Sequence, residues 1–217
     1  CNARCPGCPR NIYGYNVKNH FVLAHLSLEK YIEIKASYPH VNFVRINGSL
    51  GDPMMHPQIA HIVELSDCDS KITTNGSMGS EKTFEQLAKL NSLIEFSIDG
   101  LKDTNHLYRQ DVDWSKVMER VKWFIDAGGQ AIWKWVPFKH NQHQLEEARQ
   151  LSQSLGFMDF TVNAQGRDDF PALDKEGNVS HWIQPHDRPG REQTFDPKAH
   201  IELMTVSYTH LTLPTIS

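Results

Sequence analysis

The chain has 217 residues, 39% hydrophobic and 22% charged, a balance that suits one globular domain with a core of ordinary depth and excludes a disordered tail. Its formal charge of −4 argues against a nucleic-acid partner, because phosphate binders show a basic stripe. No apolar run approaches the roughly 20 residues that cross a bilayer, and no basic-then-apolar opening marks a secretory signal, so no membrane partner is expected.

In chain order, a helix is expected over 28–37, then a buried strand over 41–46, a Gly- and Pro-containing loop, and a helix over 58–65 with Ile59, Ile62 and Val63 on one face. A short strand over 71–74 runs into the turn pair Asn75-Gly76. A helix over 81–90 carries Phe84, Leu87 and Ala88 inward, and a strand over 93–98 closes at Asp99-Gly100. The clearest helical period lies at 114–127, where Trp114, Val117, Val121, Phe124 and Ile125 share a face. Asp113 serves as its N-cap and Gly128-Gly129 as its stop. A strand over 131–136 follows, then a helix over 142–155 with Leu145, Ala148, Leu151 and Leu155 inward and Gly156 as its C-cap, then a strand over 157–162. Repeated alternation with short connections predicts an α/β fold of parallel strands under covering helices, with site-bearing loops gathered at the strand C-termini.

Beyond about Gln165 the pattern dissolves into a Pro-, Asp- and Gly-rich stretch over 167–197, to which no secondary structure is assigned. The run 206–215 follows without a turn signal and resembles a translated sequencing adapter, so 205–217 is set apart from the fold. The expected organisation is a domain over 1–165, an extension or start of a C-terminal module over 166–204, and this foreign tail. The chain begins at Cys1 without an initiator methionine, and its natural N-terminus is expected to lie outside it.

Four cysteines make no disulfide framework, and three of them fall within the first eight positions. The fourth, Cys68, reads as a small buried hydrophobe. The opening is Cys1-Asn2-Ala3-Arg4-Cys5-Pro6-Gly7-Cys8-Pro9-Arg10, and Pro6, Gly7 and Pro9 favour a turning loop over a helix. Three thiolates on such a loop can wrap one metal group. Thiolates are the ligands of iron–sulfur clusters, and three of them leave one iron of a four-iron cluster open, as catalytic metals keep a position open. A structural zinc would need a fourth ligand, from His20 or His25. On spacing alone both readings stand.

The pattern Cys-x3-Cys-x2-Cys resembles the signature of the radical S-adenosylmethionine (radical SAM) superfamily, and downstream segments resemble that family in order. Asn47-Gly48-Ser49-Leu50-Gly51-Asp52-Pro53 is similar to its Gly-Gly-Glu-Pro segment, with Asp52 where Glu is usual and Leu50 where the first Gly is usual; a glycine lets backbone approach a ligand, and an acidic side chain with carbonyls suits an ammonium. Thr73-Thr74-Asn75-Gly76 resembles the family's Thr-Asn-Gly, and Phe96-Ser97-Ile98-Asp99-Gly100 its Ser-x-Asp-Gly. Asp103 through Arg109 follow as in its Asp-x5-Arg pattern. Strand alternation puts Ser97 and Asp99 on one face, inward, and the guanidinium of Arg109 matches the carboxylate of a bound methionine moiety.

The resemblance, over about 1–165, implies a partial (β/α)6 barrel whose first strand is missing here. It implies a [4Fe–4S] cluster on Cys1, Cys5 and Cys8, and S-adenosylmethionine held by Gly51, Asp52, Pro53, Thr74, Asn75, Ser97, Asp99 and Arg109. It further implies reductive cleavage to a 5′-deoxyadenosyl radical, hydrogen abstraction from an unidentified substrate such as a peptide or cofactor precursor, a one-electron donor such as flavodoxin or ferredoxin, and a cytoplasmic setting. The nearest branch is the one with a twitch or SPASM module after the barrel. The alternative from another class is a non-catalytic zinc or iron–sulfur module. Two further features stay open: Lys134, between Trp133 and Trp135, points into the barrel or out of it, and His140 and His143 have a ligand-like spacing that Asn141 as an N-cap explains more simply.

Overall fold

The computed structural model describes residues 1–16, 24–48, 50–164 and 168–187. Five parallel strands form one sheet: β1 (Phe43–Asn47), β2 (Asp69–Thr74), β3 (Leu93–Ser97), β4 (Gln130–Trp135) and β5 (Asp159–Val162), in that spatial order. Helix α1 (Leu28–Ser37) precedes β1. Between strands run α2 (Ile59–Ser66), α3 (Glu81–Lys89), α4 (Asn105–Tyr108), α5 (Trp114–Asp126) and α6 (Leu145–Ser154). The expected α/β alternation is therefore present, because each apolar helix face needs the sheet to cover it.

Period-two alternation divides each strand between two environments. Ile72, Ile94, Phe96, Trp133 and Trp135 are wholly buried and share a cluster with Phe84 and Leu87 of α3, Val117, Val121 and Phe124 of α5, and Ala148 of α6. Phe84 stacks on Phe96 at 6.1 Å between ring centroids, and Trp133 meets Phe157 at 5.3 Å and Phe160 at 5.7 Å. The opposite face carries polar residues in register: Arg45 beside Lys71, Thr73 beside Glu95, and Ser97 beside Lys134. Lys134 thus points away from the helices, opposite both tryptophans.

Several expectations need correction. The strand expected buried over 41–46 is Phe43–Asn47 and alternates exposed with half-buried positions, since among the described strands only β2 flanks it. The helix expected over 142–155 begins as a 3-10 turn at Gln142–Gln144. Residue 157 is not strand: Gly156, with φ +85°, ends α6, and the Phe157 N–H returns to Ser152 O at 3.0 Å. Cys68 is half-buried, just after the left-handed Asp67 that terminates α2.

The stretch left unassigned holds an antiparallel hairpin, β6 (Phe170–Leu173) with β7 (Val179–Ile183). Its turn is made by Asp174, whose Oδ1 accepts from Glu176 N and Asn178 N, and by Gly177 at φ +89°. The hairpin is tied back by Leu173 N donating to Tyr13 O at 2.9 Å and Lys139 N donating to Gln184 O at 3.0 Å. The expected boundary at 165 and the tail over 205–217 lie outside the described residues, as does His20.

Candidate functional site

The loop bearing the first three cysteines is built on backbone hydrogen bonds. Cys8 N donates to Cys5 O and Asn11 N to Cys8 O, each at 3.0 Å. Arg4 fastens the loop to the segment after α4: its N–H reaches Gln110 O at 3.1 Å and its guanidinium pairs with Asp111 at 2.5 Å. All four thiols are free. Burial pushes the Cys5 thiol above its usual range, while the neighbouring Arg109 works the other way and its Nη1 donates to Cys5 Sγ at 3.7 Å.

At the C-terminal ends of β1 and β2, Asp52 acts as a staple. Its Oδ1 accepts from Met54 N at 3.0 Å and Thr74 Oγ1 at 2.8 Å, and its Oδ2 accepts from Asn75 N at 2.8 Å. Burial nevertheless raises the Asp52 carboxyl above the usual carboxylate range, against the pull of those donors. Asn75 extends the connection to the cysteine loop, its Nδ2 donating to Cys1 Sγ at 3.5 Å and to Asn2 Oδ1 at 3.2 Å. Gly51 is open: a Cβ there would meet no heavy atom within 4 Å, whereas one on Gly48 would lie 2.5 Å from Gly51 O. The peptide at Gly51 is therefore free to be approached by a ligand, and Gly48 allows the tight turn beneath it.

After β3, Asp99 is fully buried and both its oxygens are taken. Oδ1 accepts from Val136 N and Oδ2 from Arg109 Nε, each at 2.7 Å. Asp99 thus points inward, as alternation requires, but its carboxylate holds Arg109 instead of standing free for a ligand. Burial opposes the Arg109 charge, yet Asp99 outweighs it and keeps the guanidinium firmly protonated. Of its five N–H donors, those beyond Nε and the one aimed at Cys5 remain for an anion.

A cavity of about 430 Å3 joins these pieces. Its wall includes Cys1, Cys5 and Cys8 on one side and Gly51, Asp52, Thr74, Asn75, Ser97 and Arg109 on the other. Of the residues singled out in the sequence, Pro53 and Asp99 are not on this wall; Pro53 lines an adjoining cavity of about 710 Å3 that shares Gly51 and Asp52. The donor set suits an iron–sulfur group, with three unpaired thiols on one cavity and N–H donors from Arg109 and Asn75 turned toward two of their sulfurs. No group of three or more His, Cys, Asp or Glu side chains gathers as a single-ion site among the described residues.

Other residues of the site carry no motif. Asn141 precedes the 3-10 turn but makes no capping bond to it. Instead its Nδ2 donates to Asp99 O at 2.8 Å and Val136 O at 3.0 Å, and its Oδ1 accepts from Phe138 N at 2.7 Å. Gln144 accepts from Leu101 N at 3.1 Å and from the Thr104 hydroxyl, and Asn105 Oδ1 accepts from Asp99 N at 3.0 Å. Three buried amides thus fix the loop that carries Asp99 and Arg109. Their only signal in the sequence is that they are amides close to element ends. His140 stacks on Phe138 at 5.4 Å and its Nε2 has no hydrogen-bond partner among the described residues.

The family model of the radical SAM superfamily matches residues 1–151. Among solved structures, SuiB of Streptococcus suis bound to S-adenosylmethionine has TM-score 0.63 and 18% identity, over 96% of this chain and 44% of SuiB. SuiB bound to its precursor peptide SuiA has TM-score 0.59 and 22% identity, over 75% of this chain and 36% of that one. Native anSMEcpe with bound AdoMet has TM-score 0.59 and 18% identity, over 75% and 48%. The chain spans less than half the length of each of these structures. At such identities the likeness is one of fold, a partial (β/α) barrel. No sequence match was found among curated proteins.

Proposed function

Since the chain belongs to the radical SAM superfamily, we propose that Cys1, Cys5 and Cys8 hold a [4Fe–4S] cluster and that the cavity they share takes S-adenosylmethionine. The observation that carries this reading is the common wall: three free thiols face Gly51, Thr74, Asn75, Ser97 and Arg109 across one cavity. When bound, the cluster supplies the electron for reductive cleavage of the sulfonium, the chemistry that a cofactor rather than a side chain provides. The chain's own part is binding and orientation. The open peptide at Gly51 and the carbonyls around it receive the methionine ammonium. The remaining donors of Arg109, aimed by Asp99, receive the methionine carboxylate. Asp52 acts through the backbone, bracing the loop after β1 against Thr74 and Asn75.

The reaction is hydrogen abstraction from a peptide or cofactor precursor, in the manner of the branch with a twitch or SPASM module after the barrel. Support for a peptide comes from SuiB, whose fold this chain shares and which has been solved with its precursor peptide. A flavodoxin or ferredoxin in the cytoplasm is the electron donor. Anaerobic reconstitution with iron and sulfide tests the proposal. The expected result is a broad visible absorbance that bleaches with dithionite, binding of S-adenosylmethionine, and release of 5′-deoxyadenosine on reduction. A colourless protein that takes up zinc and no iron refutes it.

A further inference from the structure

The same cavity wall carries a group of charges to which the proposed cluster and S-adenosylmethionine sites assign no role. Glu95 of β3 is nearly buried and is shared by two lysines: Lys71 Nζ lies 2.5 Å from its Oε2 and Lys134 Nζ 3.0 Å from its Oε1, with Thr73 Oγ1 also donating to Oε1 at 3.2 Å. Arg45 lines the cavity beside them from an exposed position on β1 and makes no ion pair among the described residues. Asp52, the other acid on the wall, is already engaged by Met54, Thr74 and Asn75. One carboxylate therefore faces two partly buried ammoniums, with the exposed Arg45 guanidinium lining the same cavity. Along β2, Lys71 sits four residues before Asn75, about 13 Å from the cysteine end at a strand's rise per residue.

Side chains with 17% and 31% exposure, as Lys71 and Lys134 have, are only partly hydrated, and two ammoniums against one carboxylate leave one positive charge whose partial burial carries a cost unless something balances it. Each ammonium has three N–H donors and gives one to Glu95. A second carboxylate entering between them would use the spare donors and cancel the surplus. We propose that the inner part of the cavity is a substrate subsite for a carboxylate, that of an acidic peptide side chain or of a free carboxylic acid, gripped by Lys71 and Lys134 with Arg45 beside them. Glu95 lies between the two ammoniums and competes with an incoming carboxylate for their N–H donors. The proposal rests on the radical SAM reading for the location of the cofactor, and adds the class of substrate that reading leaves open.

The test uses the cluster-loaded protein saturated with S-adenosylmethionine, and calorimetric titration with acetyl-Gly-Glu-Gly-amide, its Gln counterpart and free glutarate. The Glu peptide or glutarate is expected to bind at least tenfold more tightly than the Gln peptide. Lys71→Gln and Lys134→Gln are each expected to reduce that preference to twofold or less. Glu95→Gln, which removes the competing carboxylate, is expected to tighten binding of the acidic probe threefold or more, a gain that misfolding cannot imitate. Tighter binding of the peptide assigns the carboxylate to a peptide side chain; equal or tighter binding of glutarate assigns it to a free acid. Equal binding of Glu and Gln peptides, a preference that survives both lysine substitutions, or no gain in Glu95→Gln overturns the subsite. Failure of the wild-type protein to bind S-adenosylmethionine overturns the cofactor reading instead, so the two failures are distinguishable.

Discussion

The Asp99–Arg109 pair is the joint on which the site turns, and its contribution follows from the geometry. Asp99→Ala removes an acceptor from the Val136 N–H, which costs about 1–3 kcal/mol when the donor is left buried and unsatisfied. It also strips the counter-charge from Arg109. Breaking a buried pair on one side costs about 3–5 kcal/mol, and because the Arg109 side chain retains 17% exposure the lower end applies. Asp99→Asn keeps the acceptor for Val136 and loses only the charge, so it should cost about 3 kcal/mol, with Asp99→Ala about 1 kcal/mol or more beyond it. Arg109→Met leaves the Asp99 carboxylate buried and unpaired and should cost as much as Asp99→Asn. In the double variant neither charge remains, so its destabilisation should fall short of the sum by about 2–3 kcal/mol. Urea unfolding of the apoprotein, followed by far-ultraviolet circular dichroism for all four members of the cycle, reads this coupling. Additivity within about 0.5 kcal/mol refutes the claim that Asp99 is spent on Arg109.

Burial, with like charge from His181, His106 and His143 behind it, lowers the His140 imidazole from 6.5 to about 4. The folded protein then binds fewer protons than the unfolded chain between those values, so stability is full above pH 6.5 and falls as pH drops toward 4, by about 3 kcal/mol in all. His140→Phe should flatten that slope in urea midpoints measured at pH 7.5 and pH 5; an unchanged slope would rule His140 out as its source. At Gly100 an added Cβ would sit 2.4 Å from both Asn105 N and Thr104 Oγ1, so Gly100→Ala should destabilise by about 3 kcal/mol or more. Gly128→Ala meets nothing within 4 Å and bears only the left-handed backbone cost, about 1–2 kcal/mol. Thermal melts of the two variants that coincide would contradict this ranking.

Most of the fold was legible because its signals are local. Val117, Val121 and Phe124 repeat at helical spacing, and Asp113 caps α5 through Ser115 N and Lys116 N as its position suggested. What was not legible depended on partners distant in sequence. The hairpin of β6 and β7 lacks a long apolar alternation, and two of its ties run to Tyr13 and Lys139. The strand over 41–46 looked buried because its composition is that of an interior strand, yet exposure depends on how many neighbours flank it. Asn141 looked like a cap because it precedes a helical pattern. Its amide is instead drawn to Asp99 O and Val136 O, two carbonyls that only the folded sheet brings within reach.

The candidate site divides in the same way. Its rim, the cysteines with Gly51, Asn75 and Ser97, sits in short segments whose spacing carries chemical meaning without knowledge of the fold. Its interior does not. Lys71, Glu95 and Lys134 are isolated charges in three different strands, and nothing in the sequence distinguishes them from surface residues; Lys134 alone was open to either reading. The register settles the matter, because Thr73 beside Glu95 and Ser97 beside Lys134 place all of them on the face that the helices leave uncovered. At Lys71, Glu95 and Lys134 that face is partly shielded from water, and their charges must answer to one another. The rim thus bears on the cofactor proposal, and the interior, legible only once strands are paired, bears on the proposed carboxylate subsite. Lys71→Gln, on β2 four residues before Asn75, should therefore weaken binding of an acidic probe in the interior while changing the affinity for S-adenosylmethionine, proposed at the rim, less than twofold.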